Sequence, residues 1–351
     1  MVLKRTDDNP YLIMLIGIAG SGKSTLAEQI LIDKNGYLHP PVICSSDTTR
    51  LNLFGSMDVQ ENNEDVFREM SKQIKENLIN GVDVVYDATN LNKRKRAAFL
   101  DSVQKIDCHK EAVCVLTPFR DCVTANKSRD RVVPYHKQKK MYMDWTPPSL
   151  AEGFDHITLA YHWGTRKNDF SIQRLFDRID DMDQENDHHS LTLGSHCKQA
   201  ASYILERYPE EEMLAIATLL HDNGKVFSKT NINAKGVDDG QAHYYQHHCV
   251  GAYDSLFYTA NMDLDVQDRL YISQLIYYHM HPYMQWEQSE KSLKRDLRIM
   301  PTGLYEDVQK LHDADVAAHI PDHERYHPGI DAILHKDTTR GEIYNDFIIE
   351  R

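Results

Sequence analysis

The sequence has few cysteines for its 351 residues, and no two of them stand at CxxC spacing. Neither a disulfide framework nor a zinc-finger pattern can be built from them, so we predict six buried free thiols. No apolar run approaches the ~18 residues that a membrane-spanning helix needs. The first residues lack the apolar segment of a signal peptide. We therefore expect a cytoplasmic protein without a membrane partner.

The excess of acidic over basic residues is unevenly distributed along the chain. The formal net charge is −13, yet residues 1–170 carry 23 Lys and Arg against 22 Asp and Glu, while the remaining residues carry 17 against 31. In the first half, positive charge is concentrated at residues 93–96 and 129–140. These two clusters would suit a polyanion bound to that half, and solvated helix faces are the alternative interpretation.

The length favours two domains of ordinary size. The first part alternates strands and helices, which predicts an α/β domain over residues 1–178 with a parallel sheet covered by helices on both faces. A polar, acidic joint follows at 180–187, and the apolar periodicity beyond it predicts an all-α domain over residues 183–351. The predicted strands are 11–16, 41–44, 82–86 and 112–116. The predicted helices are 24–31, 65–78, 93–105, 213–220, 252–259, 266–278 and 305–318.

A glycine-rich loop after the first of these strands has the full spacing of a phosphate-binding P-loop. Its backbone N–H groups and the following helix N-terminus form an anion site. Lys23 would reach the β- and γ-phosphates of ATP, and Ser24 would ligate Mg²⁺. The predicted nucleotide-binding residues are Gly17, Gly20, Ser21, Gly22, Lys23, Ser24 and Thr25.

Two aspartates follow neighbouring predicted strands. Asp47 could accept the proton of an attacking hydroxyl, with Arg50 gripping a nearby phosphate, or it could cap the next helix. Asp87 ends its strand and could hold Mg²⁺ or, with Asn90, orient the acceptor; helix capping is again the alternative. Arg129 and Arg131 are predicted on a helical lid, where they would offset charge on the transferring phosphoryl group, unless that helix is merely solvated.

Together with residues 147–155, these motifs resemble the 5′-hydroxyl polynucleotide kinase family over roughly residues 10–170. The resemblance implies that Asp47 is the general base, that Arg50 contacts a phosphate of the acceptor strand, and that Arg129 and Arg131 are the lid arginines. It also implies RNA or DNA ends as substrates. Wider relatives include zeta-toxin-like and small-molecule kinases, so the acceptor is less defined than the fold.

Most of the nineteen histidines lie in the second half, among aspartates. A lone histidine is usually a packed core residue, but several on separate helical segments around an adjacent His-Asp pair suit a divalent metal that activates water. The candidates are His196, His221, Asp222, His247 or His248, His279, and Asp315 or Asp313. Mn, Ni, Co, Fe and Zn all accept such ligands.

Over roughly residues 183–330 the pattern resembles the HD-superfamily phosphohydrolases. The family's H…HD…D positions fall on His196, His221, Asp222 and Asp315, and its two-metal version adds His247 and His279. The resemblance implies that Asp222 bridges two metals and that Lys225 meets a substrate phosphate.

The combination predicts a bifunctional end-healing enzyme of RNA or DNA repair, of phage or bacterial type. One half would phosphorylate a 5′-hydroxyl with ATP, and the other would remove a 3′-phosphate or a 2′,3′-cyclic phosphate, preparing ends for a ligase. Two alternatives stay open. One is a nucleoside or small-molecule kinase fused to a nucleotide phosphohydrolase, and the other is a regulatory or toxin-like nucleotide-binding protein.

Overall fold

The computed structural model describes residues 1–34, 37–58, 62–129, 131–163, 170–185, 190–322, 325–336 and 347–350. The chain forms two compact units. The first contains residues 1–138, 148–164 and 347–350, and the second contains 139–147 and the described residues between 165 and 342. These bounds differ from the prediction, in which the first domain ends at residue 178 and the second begins at residue 183. Within the predicted joint, residues 186 and 187 lie outside the described residues.

A six-stranded sheet forms the centre of the first unit. Its order is β5-β6-β2-β7-β8-β11, with all neighbours parallel except the antiparallel edge strand β11. These strands are β2 (Tyr11–Ile16), β5 (Val42–Ser45), β6 (Val84–Asp87), β7 (His109–Leu116), β8 (His156–Tyr161) and β11 (Ile348–Glu350). A small second sheet contains β1 (Val2–Lys4), β3 (Leu31–Lys34) and β4 (Tyr37–His39).

Helices connect the parallel strands. They are α1 (Lys23–Gln29), α2 (Ser46–Phe54), α3 (Asn63–Ile79), α4 (Lys93–Val103), α5 (Phe119–Lys127) and α6 (Tyr135–Met143). Every residue of β2 is buried, as expected of a central parallel strand covered on both faces. Each strand and helix predicted between residues 11 and 116 is present, with ends shifted by a few residues. The first unit is therefore an α/β domain with a predominantly parallel sheet.

The second unit is mainly helical. Its helices are α7 (Ile172–Ile179), α8 (Leu193–Arg207), α9 (Glu212–Leu220), α10 (Lys225–Ser228), α11 (His247–Tyr258), α12 (Val266–Tyr278), α13 (Glu290–Leu297), α14 (Leu304–Ala317) and α15 (Gly329–Leu334), with a π-helical turn at Pro282–Trp286. The four helices predicted here are present as α9, α11, α12 and α14.

The expectation of an almost wholly helical second half needs one correction. An antiparallel hairpin of β9 (Lys229–Ile232) and β10 (Asp238–Tyr244) lies between α10 and α11. Gly236 and Gly240 have φ values of +81° and +75°, which allow the turn and an irregular register within the hairpin. The segment has no helical apolar period, and its polar composition gave no strand signal.

All six cysteines are free and buried, which confirms the prediction of unpaired thiols. Among the described residues, no helix combines the length and the apolar character that crossing a membrane would require.

Candidate active sites

The P-loop lies between β2 and α1 and is held in place by side chains from later in the sequence. Gly20 and Gly22 have φ values of +83° and +91°, a region that favours glycine. The Gln138 amide donates to the carbonyl of Ala19 at 2.8 Å, and the Thr117 hydroxyl donates to the carbonyl of Ser21 at 2.9 Å. The loop is therefore shaped before a phosphate arrives.

Lys23, Ser24 and Asp87 meet beside this loop. Lys23 Nζ donates to the carbonyl of Ile18 at 2.8 Å, and burial lowers its pKa to about 8 against the opposing effect of the Asp87 carboxylate. Ser24 Oγ donates to Asp87 Oδ2 at 2.9 Å. A hydroxyl and a carboxylate in contact at a P-loop are suitable oxygen ligands for Mg²⁺.

Asp47 lies at the same edge of the sheet, because β5 pairs in register with β6 and Ser45 faces Asp87. Its Oδ1 accepts hydrogen bonds from Arg131 Nη1 at 2.6 Å and from Arg50 Nη1 at 3.0 Å. Arg129 Nη2 stands 3.8 Å from Oδ2. The carboxylate remains partly exposed, at 33% of its side-chain surface. It is thus an accessible base surrounded by three guanidinium groups.

The structure shows which side chains cap the helices that follow Asp47 and Asp87 in the sequence. Ser45 caps α2, since its side chain accepts from the backbone N–H of Asp47. Asn92 caps α4, accepting from the N–H groups of Arg94 and Lys95. The side chains of Asp47 and Asp87 are therefore not the caps that their positions suggested.

The lid prediction is wrong in one respect: Arg129 and Arg131 do not lie on a helix. Helix α5 ends at Lys127, and both arginines are in the connection to α6. Pro134 follows shortly after, and proline disfavours helical geometry in the residue before it. Even so, both guanidinium groups reach Asp47, as described above.

Arg50 and Asn90, both predicted to bind substrate, are also bound within the protein. Arg50 is buried and donates to Asn63 Oδ1 at 2.8 Å as well as to Asp47. The Asn90 amide donates to the carbonyl of Leu15 at 2.8 Å. Each therefore supports the local backbone, whatever it contacts in a substrate.

The predicted basic cluster at residues 93–96 is largely internal. Lys93 and Arg96 are buried, and Arg96 makes a two-point ion pair with Glu152, both contacts being 2.8 Å. Residues 93–96 occupy the first turn of α4, so successive side chains point to different faces and some must face the core. This cluster offers less surface charge than its sequence suggested.

In the second unit, four buried histidines converge on one centre. His221, His247 and His279 each place Nδ1 against a backbone carbonyl three residues earlier, at 2.6–2.7 Å. His196 Nδ1 lies 3.4 Å from the carbonyl of Ala318. A carbonyl only accepts, so each Nδ1 carries the proton and each Nε2 is left to bind elsewhere.

These Nε2 atoms form two pairs. His196 and His221 are 3.3 Å apart, and His247 and His279 are 3.1 Å apart. Two ligand atoms bound at about 2.0–2.1 Å to one ion lie about 2.8–3.4 Å apart at octahedral or tetrahedral angles. Burial and the neighbouring His247 lower the pKa of His279 to about 3, so its imidazole is neutral, as a metal ligand must be.

The Asp222 carboxylate lies between the two pairs. Oδ2 is 3.4 Å from His221 Nε2 and 3.7 Å from His196 Nε2. Oδ1 is 3.2 Å from His247 Nε2 and 3.9 Å from His279 Nε2. Three groupings have metal-ligand spacing: His196, His221 and Asp222; Asp222, His247 and His279; and His196, Asp315 and His319. The donor set fits one or two divalent ions, with Asp222 able to serve both.

Asp315 joins the first pair, with Oδ1 3.0 Å from His196 Nε2 and 3.6 Å from His221 Nε2. Burial opposes a charge on His221, yet Asp222 and Asp315 raise its pKa well above the usual range. The two carboxylates thus create a field that favours a cation between them. The alternatives Asp313 and His248 belong to none of these groupings; His248 instead packs against the rings of Tyr277 and His281.

Lys225 directly contacts Asp222, one of the predicted metal ligands. Its Nζ lies 2.7 Å from Asp222 Oδ2 and donates to Gln184 Oε1 at 2.8 Å. Burial opposes ionisation of Asp222, but Lys225 and His221 lower the pKa of this carboxylate well below its usual value. Lys225 therefore keeps the carboxylate ionised and oriented.

Sequence reasoning missed two residues beside this centre. His319 Nε2 is 3.7 Å from Asp315 Oδ1, and its ring stacks on His196 at 5.6 Å. The Tyr283 hydroxyl donates to Asp315 Oδ2 at 3.3 Å. The spacing of four residues from Asp315 to His319 near a helix end was a usable signal, whereas Tyr283 gave none.

Comparison with known proteins gives a partial answer. A family model described as an AAA domain matches residues 12–148, which makes this segment a P-loop kinase-like domain. No curated protein matches the chain. One chain of a solved structure, "Structure of Pnkp1/Rnl/Hen1 complex", is similar at 24% identity, with a TM-score of 0.28. That match covers 38% of this chain and 44% of the other, and at this TM-score it supports no argument about function.

Proposed function

We propose that the protein is a bifunctional nucleic-acid end-healing enzyme. The first unit transfers the γ-phosphate of ATP to a 5′-hydroxyl, and the second removes a 3′-phosphate or a 2′,3′-cyclic phosphate. The proposed phosphatase activity rests on the position of the Asp222 carboxylate. One of its oxygens faces His196 and His221, and the other faces His247 and His279.

In the first unit, the P-loop backbone and Lys23 hold the phosphates of ATP, while Ser24 and Asp87 hold Mg²⁺. Asp47 accepts the proton of the attacking hydroxyl. Arg131, and to a smaller extent Arg129, offset the charge that develops on the transferring group. Their contacts to Asp47 support this assignment, because they bring the three charged groups together at the edge of the sheet that carries Asp87.

In the second unit, His196, His221, Asp222 and Asp315 would hold one ion, and Asp222, His247 and His279 a second. A divalent ion held by these residues would supply the chemistry of polarising the phosphoryl group and activating water. The histidines are fixed by their Nδ1 contacts and Asp222 by Lys225, so the ligands need little rearrangement.

The test is a pair of assays on one purified protein and two variants. Wild-type protein is incubated with labelled ATP, Mg²⁺ and a 5′-hydroxyl oligonucleotide, and separately with Mn²⁺ and a 3′-phosphorylated oligonucleotide. We expect Lys23→Ala to lose only 5′ phosphorylation and Asp222→Ala to lose only phosphate release. Equal loss of both activities in folded variants would contradict two separate sites, and absence of both activities from the wild type would refute the proposal.

One observation favours a second candidate, a small-molecule kinase fused to a nucleotide phosphohydrolase. Because Lys93 and Arg96 are buried, the first unit offers fewer cations to a long polyanion than its sequence suggested. The same assay decides, since a nucleoside phosphorylated as efficiently as an oligonucleotide would support this candidate. Salt dependence is a further criterion: binding through several phosphates weakens steeply as salt rises.

A further inference from the structure

A cavity of about 530 Å³ opens beside the histidine and aspartate cluster. Asp222, Asp315 and His247 contribute to its wall, so a molecule bound in this cavity would lie against the cluster. The hairpin β9–β10 and the π-helical turn supply much of the remaining wall. The lining side chains in these two elements and directly beside them are His243, Tyr244, Tyr245, Met280, Tyr283 and Met284.

The inner end of the hairpin is firmly attached. The Tyr244 hydroxyl donates to the carbonyl of Gln184 at 2.8 Å, and the N–H of Ala242 donates to the carbonyl of Glu185 at 2.9 Å. The Tyr244 carbonyl in turn accepts from His247 Nδ1 at 2.7 Å. The strand that carries the cavity-lining rings is therefore tied directly to a predicted metal ligand.

The ring of His243 in β10 and the ring of Tyr245, which directly follows this strand, lie parallel to each other. His243 and Tyr245 stack with centroids 5.6 Å apart and an interplanar angle of 9°. Tyr245 remains 40% exposed, and Met284 in the π-helical turn is 46% exposed. Exposed apolar and aromatic side chains that line a cavity beside a reactive centre are characteristic of a ligand surface.

Charge provides little of the binding surface. Among the described residues that line the cavity, Lys225 is the one lysine or arginine, and it is engaged by Asp222 and Gln184. His243 is paired with Asp239 at 2.9 Å. Apart from ions held at the cluster itself, a phosphate would find few cations on the cavity wall, whereas a flat aromatic group would find the rings.

We propose that His243 and Tyr245 form a stacking platform for the nucleobase of the terminal nucleotide whose phosphate is removed. This inference rests on the proposed phosphatase function and defines its substrate as a nucleoside phosphate end rather than a small phosphate ester. Stacking tolerates every base because each has an aromatic face, so the platform selects nucleotides without selecting sequence.

The test compares two oligonucleotides that carry the same 3′-phosphate, one with a normal terminal nucleotide and one with an abasic terminal residue. We expect wild-type kcat/KM to be about 5- to 150-fold higher with the base, the range that stacking of one base provides. Tyr245→Ala should lose most of this preference through a higher KM, and Tyr245→Phe should keep it. Ile232→Ala is the matched control, since Ile232 is 45% exposed on the same hairpin and does not line the cavity.

The outcomes separate the two claims. If the wild type dephosphorylates both substrates equally well, or if Tyr245→Ala keeps the full preference, the platform is refuted while the phosphatase assignment stands. If the wild type dephosphorylates neither substrate with divalent metal supplied, the phosphatase assignment fails and the platform fails with it.

Discussion

The ring of Phe347 lies against Gly22 of the P-loop: a Cβ added to Gly22 would stand 2.7 Å from Phe347 Cζ. Phe347 directly precedes β11, which pairs with β8, and its ring also contacts His162 at 5.2 Å. The last described segment of the chain thus packs against the P-loop, although the family model ends at residue 148.

We expect Phe347→Ala to weaken ATP binding by about 2- to 10-fold, since an aromatic contact contributes about 0.5–1.5 kcal/mol. Calorimetric titration with ATP measures the effect. Ile348→Ala is the control, because Phe347 and Ile349 pack against the same buried cluster whereas Ile348 points to the opposite face from Ile349. Unchanged affinity in Phe347→Ala would show that the ring does not support the loop.

Arg131 should matter more than Arg129 for 5′ phosphorylation, because it lies 2.6 Å from Asp47 while Arg129 lies 3.8 Å away. Loss of a preorganised group that stabilises developing charge lowers kcat by about 10²–10³. We expect Arg131→Ala to fall in this range, Arg129→Ala to cost less, and neither to act mainly on KM for ATP. If steady-state kinetics show a change only in the KM for ATP, both residues bind the nucleotide and do not stabilise the transition state.

Breaking the Arg96–Glu152 pair should destabilise the first unit. Both side chains are 1% exposed, and Arg96 Nη1 also donates to the carbonyls of Asn90 and Leu91 at 3.0 Å. Removing one partner of a buried pair costs about 3–5 kcal/mol. We expect Glu152→Gln to lower the free energy of unfolding accordingly, whereas Lys95→Gln, an exposed neighbour on α4, should leave it nearly unchanged. Denaturant titration provides the comparison.

Asp254 gives the second unit a pH-dependent stability. Burial raises its pKa from 3.8 to about 7, although a hydrogen bond from Tyr142 and the charge of Arg178 oppose the rise. The folded protein therefore holds this proton more tightly than the unfolded chain. The contribution to stability is complete below the unfolded pKa, falls as pH rises, and is lost above the folded pKa.

We expect Asp254→Asn to raise the free energy of unfolding by about 1–3 kcal/mol at pH 8 and to have little effect at pH 4, because one pKa unit corresponds to about 1.4 kcal/mol. Asn keeps an oxygen that can accept from the Tyr142 hydroxyl. Thermal unfolding of both proteins across this pH range tests the direction of the change in stability. An Asp254→Asn variant that is destabilised more at pH 8 than at pH 4 would contradict the prediction.

The sequence predicted those parts of the structure that depend on local patterns. The apolar run at residues 11–16 and the glycine spacing behind it identified β2 and the P-loop. Apolar periodicity found the two helices that end just before His221 and His279 and the helix that contains Asp315. The edge strand β11 had no such pattern, because its position depends on β8, which is distant in the chain. The hairpin strands pair with each other, but their polar composition gave no strand signal.

The sequence also did not predict which charged side chains form ion pairs with each other. Residues 93–96 form one basic run, yet Arg96 turns inward because Glu152 provides a buried partner, while Lys95 stays exposed. Likewise, Lys225 was expected to meet a substrate phosphate, and its contact with Asp222 depends on the turn between α9 and α10. The first contact depends on tertiary packing, whereas the second joins residues three apart and depends on the local turn geometry.

The central claim is that Asp222 joins two metal positions, and the most direct test is metal content measured on purified variants. After loading with Mn²⁺ and removal of free metal, we expect two ions per wild-type chain, about one in His279→Ala and almost none in Asp222→Ala. Asp313→Ala, a neighbouring acid on α14 outside the proposed ligand set, should keep both. An Asp222→Ala protein that retains two ions, or a metal-free wild type fully active on a 3′-phosphate or a 2′,3′-cyclic phosphate, would contradict the account.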